Sequence, residues 1–167
     1  VDATAHLHRV PNGQRWGSCD AEVTDVTILD AEGQERYILS TGEPMRIVIA
    51  YRAHRRIERP MFGLAIHRDD GLHISGPNNI FSGCDIAYIE GAGRVTYSID
   101  MLPLLEGTYL LTAAIHDDKG EHTYDYHGQS WSFRIVRGDV GERYGIVYMP
   151  SRWEHKPSAA LEPQEAS

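Results

Sequence analysis

LPLLEGTYLLTAAIHDDKG, residues 102–120, decides how the chain folds. It reads as a turn, a strand and a second turn. Within the strand, Tyr109, Leu111, Ala113 and Ile115 alternate with Leu110, Thr112, Ala114 and His116. A period of two puts the first set on one face and the second on the other. The first face is oily and belongs to a core. The second is thin, mostly small, and ends in an imidazole.

The same alternation recurs along the chain. It marks strands at 21–30, 45–53, 60–68, 72–79, 93–100, 107–117, 130–136 and 145–150. Turn signals separate them: EGQE, TGEP, DDG, EGAG and DKG. ILSTG near residue 40 and MLPLLEG near 103 have room for a single helical turn each. Strands without alternating helices mean an all-β protein: an Ig-like or jelly-roll-like antiparallel β-sandwich with Greek-key connections. Residues 1–14 read as a linker remnant or late-docking arm, 15–155 as the sandwich, and 156–167 as a disordered tail.

Parity assigns the faces. Ile47, Ile49, Tyr51, Phe62, Leu64, Ile66, Val95, Tyr97, Ile99, Trp131, Phe133 and Ile135 join the inward set. Each large side chain buried there contributes roughly 1.5–3 kcal/mol, enough to fix the register. Placing the 60–68, 107–117 and 130–136 strands in one sheet gives an outward platform of Gly63, Ala65, Thr112, Ala114, Ser130 and Ser132. His67, His116 and Arg134 rise at its margins, and Tyr126 lies in the adjoining YDYH segment, read as a loop. Such a trough suits a hydroxyl-rich ligand, because His, Ser and Thr both donate and accept while Arg donates a fork. The candidate carbohydrate-binding residues are therefore His67, Thr112, His116, Ser132, Arg134 and Tyr126. A plain solvated sheet face is the competing reading.

Composition narrows the function. The 167 residues carry 24 acidic and 16 basic side chains, a formal net charge of −8, which disfavours nucleic acid and anionic membranes. HRRIER, 54–59, is the one short basic cluster and reads as a solvated loop. No apolar run reaches the ~20 residues needed to span a bilayer. Cys19 and Cys84 form no CxxC pair; free thiols are the plainer reading, with a disulfide left open. No nucleophile elbow, phosphate loop, dinucleotide fingerprint or zincin motif occurs, so no catalytic residues are assigned. The histidines His116, His122 and His127 match no metal-site spacing, and no metal or other cofactor is expected in this domain.

Five stretches together carry a resemblance: RWGSCDAEVTDVTILDAEGQ (15–34), 41–79 from TGEP to GPNN, GAGRVTYSIDMLPLLEGTYLLTAAIHD (91–117), YDYHGQSWSFRIV (124–136) and GIVYMPSRWEH (145–155). In that order they resemble the C-terminal domain of Wzt-type proteins, the ATP-binding subunits of ABC transporters that export O-antigen polysaccharide. The resemblance implies a non-catalytic carbohydrate-binding module that reads the non-reducing end of a lipid-linked glycan and couples chain completion to export. It also implies a homodimer formed by strand exchange, a transmembrane transporter subunit as partner, and a place at the cytoplasmic face of the inner membrane. ATP would belong to a nucleotide-binding domain that this sequence lacks. The shared motifs at 107–109 and 124–127 read as framework. The alternative is a dimerisation or protein-interaction sandwich without glycan specificity.

Overall fold

A computed structural model describes residues 8–10 and 13–158. They form ten strands: β1 His8–Arg9, β2 Gln14–Trp16, β3 Ala21–Leu29, β4 Ile38–Ser40, β5 Met45–Glu58, β6 Met61–Arg68, β7 His73–Ser75, β8 Tyr88–Ile99, β9 Gly107–His116 and β10 Thr123–Val136. Among the described residues there is no α-helix. One sheet has seven strands in the order β1-β10-β9-β6-β7, with β2 and β4 also on β10; the other has the order β3-β5-β8. Pairing is antiparallel except for β4, which runs parallel to β10.

The alternating pattern produces the core. Ile28, Ile47 and Ile49 of the three-stranded sheet face Tyr109, Leu111, Ile115, Phe133 and Ile135 of the seven-stranded one, all nearly water-free. β-branched and aromatic residues dominate both inner faces, as a pleated, half-buried surface favours. Tyr109 is buried, stacks on Phe133 and donates its hydroxyl to the Leu105 carbonyl at 2.6 Å. That is the tyrosine-corner device of Ig-like sandwiches, tying a strand to the turn before it. Gly107–Tyr109 is framework in this literal sense.

The structure moves several boundaries. YDYH is strand, because β10 begins at Thr123 and pairs with β9 from His116 onward. HRRIER is not a solvated loop: β5 continues through a bulge to Glu58, and Ile57 enters the core. The charges hide this, since Arg55, Arg56 and Arg59 bond to Asp20, Glu58 and Asp85, leaving only one apolar residue visible to a pattern search. The EGAG turn lies inside β8, with Gly91 in the left-handed region at φ 74°. ILS is strand rather than helical turn. GIVYMP contributes a bridge, Leu104 to Val147, instead of a strand. Both cysteines are exposed and unpaired.

The N-terminal arm is part of the sandwich. β9 covers one side of β10, and β2, β1 and β4 cover the other. The expected linker, residues 1–14, thus contributes paired backbone from His8, while residues 1–7 lie outside the described residues. Of the expected tail, 159–167 also lie outside them. Two glycines let the arm approach. A side chain at Gly13 would overlap the Ser130 hydroxyl. Gly17 sits at φ 137°, and a Cβ there would be 2.5 Å from the Tyr124 carbonyl oxygen. Glycine is what this backbone-to-backbone contact requires.

Candidate functional site

All six residues picked from the pattern lie on the outer face of the seven-stranded sheet. The register sets them in cross-strand rows: His67, Leu110 and Ser132; Ala65 and Thr112; Gly63, Ala114 and Tyr126; Met61 and His116. Arg134 opposes Thr108 beyond the first row and is exposed. The three strands expected to share a sheet are adjacent in it, β10-β9-β6.

Their environments differ. Thr112 is 3% exposed, and its hydroxyl accepts from the Gln129 backbone N–H at 2.8 Å. That bond holds a bulge in β10, where Gln129 takes φ 46° and the pairing slips between His127 and Trp131. Ser130 is likewise buried, donating to the Gly128 carbonyl beneath the arm. Both serve the backbone. His116 accepts or donates through Nδ1 to the Thr123 hydroxyl at 2.9 Å, and burial holds its pKa below the ordinary value, with Asp117 opposing. His67 stacks on His73 at 4.7 Å; burial, then the neighbouring imidazole, lowers its pKa.

Tyr126 is where the face becomes concave. The bulge and the arm enclose a recess of about 330 Å³ lined by Val10, Gly13, Gln14, Leu110, Tyr126, Gly128 and Gln129. Trp16 packs against its lining residue Tyr126, ring centroids 5.3 Å apart, and stays 54% exposed. Aromatic faces flanked by amide side chains can stack on the C–H side of a ring and bond its hydroxyls. The arm residues Trp16, Gly13 and Gln14 were absent from the pattern-based set. Their signal was QRW preceded by Gly13, a short alternating run too brief to read as a strand.

Beneath this face Asp125 fastens the arm. It is fully buried and accepts from the Val23 N–H at 2.8 Å, from His127 Nε2 at 3.0 Å and from Arg15 Nε at 3.2 Å. One carboxylate therefore joins β3, β10 and β2. Burial pushes its pKa up, but the bonds from His127, Arg15 and Val23 outweigh it, and the net shift is downward. His116, His122 and His127 separate: they bond to Thr123, Ser18 and Asp125 respectively. Among the described residues no group of three or more His, Cys, Asp or Glu is placed to hold a metal.

The sequence profile of the Wzt C-terminal domain matches residues 12–149. The chain belongs to that family. A crystal structure of the C-terminal domain of Wzt superposes with a TM-score of 0.79 at 19% identity, covering 92% of this chain and 95% of the other. A Niemann-Pick type C2 protein from Japanese carpenter ant covers 75% of this chain and 98% of its own at 9% identity, with a TM-score of 0.45. No curated protein sequence matches the chain. Membership of the Wzt C-terminal domain family supports a carbohydrate-binding role in an ABC-transporter context. Among the described residues no helix is long and apolar enough to cross a membrane.

The Asp125 junction gives a pH dependence with a definite sign. Its carboxyl is depressed in the folded state, so its stabilisation is complete above the ordinary value of 3.8 and is lost as pH falls through the lower folded value. Thermal unfolding followed from neutral pH downward should show wild type losing stability in that acid window. Asp125→Asn should lose less there, while being less stable at neutral pH by about 3 kcal/mol.

Proposed function

We propose that this Wzt C-terminal domain is a non-catalytic module that binds the non-reducing terminus of a lipid-linked O-antigen polysaccharide and couples chain completion to export. The observation that carries the reading is the recess at Tyr126, walled by the arm, with the half-exposed Trp16 packed on the Tyr126 ring. Gln14 and Gln129 offer donors and acceptors beside an apolar floor of Leu110 and Val10. His67, Ser132 and Arg134 extend the same face towards further sugar units, and Thr112 and His116 hold its framework. A shallow recess gives modest affinity per site, and attachment to a membrane-held transporter raises the effective affinity. The ATP-binding domain and transmembrane subunit would lie elsewhere in that assembly, at the cytoplasmic face of the inner membrane. ATP has no part in this domain.

A homodimer by strand exchange belongs to the proposal. Residues 144–153 support it: Tyr144, Met149 and Trp153 stand exposed, Trp153 completely. Among the described residues β8 pairs only with β5, so its other edge, twelve residues long, is an available partner for an added strand.

Calorimetric titration with the O-polysaccharide of the source strain should give saturable binding, and an O-polysaccharide with a different terminus should give none. Trp16→Ala and Tyr126→Ala should each weaken binding about tenfold, roughly 1.4 kcal/mol. Equal retention of both glycans, or two variants that bind as wild type does, sinks the assignment. Sedimentation velocity should show a dimer at micromolar concentration; a monomer throughout contradicts strand exchange.

A further inference from the structure

His127 follows Tyr126 on β10 and therefore faces the other way. It lines a second, separate cleft of about 510 Å³ between the β3 edge of one sheet and the arm edge of the other. Val23 to Val26, Arg9, Arg15, Glu35 and Tyr37 line it. His127 and Trp131 stack, centroids 5.4 Å apart, at its floor. The volume lies in the range of small-molecule sites.

His127 is only 2% exposed, and its Nδ1 has no hydrogen-bond partner in the protein. Nε2 lies 3.0 Å from an Asp125 carboxylate oxygen, which only accepts. Asp125 therefore takes the Nε2 side of the ring, and Nδ1 is the ring atom left without a partner beside the cleft that His127 lines. Leaving a buried polar atom unmatched is costly, so the site is complete when a hydroxyl, which both donates and accepts, reaches it.

The charges of the lining say which kind of ligand. Glu22, Asp25 and Glu35 disfavour an anion, and Arg9 and Arg15 disfavour a cation. Arg15 is committed to Asp125 and Glu22, and Glu35 accepts from the Tyr37 hydroxyl. A neutral ligand carrying several hydroxyls fits: one pairs with Nδ1, another accepts from Arg9, and others donate to Asp25 and Glu35. We propose that this edge cleft is a second carbohydrate subsite, taking a neutral sugar residue whose hydroxyl bonds His127 Nδ1. The ligand class rests on the glycan-binding reading; the site is distinct from the recess at Tyr126.

The test is nitrogen NMR of the histidine rings during titration of the whole chain with methyl glycosides of neutral hexoses and 6-deoxyhexoses. Inorganic phosphate serves as the anionic control. The Gln129 amide and Trp16 indole report on the outer recess in the same spectra. We expect at least one glycoside to move His127 Nδ1 saturably, phosphate to leave it in place, and Arg9→Ala to weaken that titration at least fivefold. Shifts confined to Gln129 and Trp16 overturn the edge subsite while leaving the glycan reading intact. No shift at either place overturns both. A phosphate response as strong as the glycoside response overturns the ligand class. His127→Phe, which keeps a ring against Trp131, should abolish the glycoside binding that persists after Trp16→Ala; retention of that binding also overturns the subsite.

Discussion

The arrangement hangs on one buried carboxylate. Asp125 has no exposed surface and is surrounded by donors from three strands: the Val23 amide, the Arg15 guanidinium and the His127 imidazole. A buried charge without such partners would be strongly destabilising. With them it becomes a junction where the two sheets and the N-terminal arm must meet in one geometry. The Cys19 amide bonds the Tyr124 carbonyl at 2.7 Å just beside it, so side-chain and backbone bonds reinforce the same docking.

The concave features follow from that junction. Once the arm lies along β10, Gly13 passes over Ser130, and Gln14 and Trp16 reach Gly128 and Tyr126. The bulge at Gln129, held by the Thr112 hydroxyl, sets the floor back where the arm crosses. A flat sheet face thereby gains a recess on its outside. Strand parity then gives the inside its own cleft, since Tyr126 and His127 are consecutive residues pointing to opposite faces. A stretch that looked like framework from its motif is framework at Asp125 and lining at Tyr126 and His127.

The fold was legible because period two is a strong signal wherever one face is buried. The inward sets of β5, β6, β9 and β10 could be read directly, and so could the sharing of one sheet by the 60s, 110s and 130s. Places where two chemistries overlap were not legible. The ion pairs of HRRIER mask a strand, and Gly91 inside β8 imitates a turn. Tyr124 and Asp125 are both buried where the register slips, which breaks the alternation a reader relies on. On the platform the residue types were right for the face, yet the pattern cannot tell a hydroxyl that greets solvent from one that braces a bulge. Thr112 is of the second kind. The N-terminal arm could be read as a late-docking segment but not as strands, because two- and three-residue strands carry too few positions to show a period; only the partner strand reveals them.

Amide hydrogen exchange compared between wild type and Asp125→Asn tests the junction most directly. If one carboxylate holds the arm and β3 on β10, the variant loses protection at Val10, Ser18, Cys19 and Val23, whose amides bond to β10 or to Asp125 itself. Amides shared by β6 and β9 keep theirs. Wild-type protection at the arm amides in the variant would show that the arm docks without Asp125, and would contradict the account.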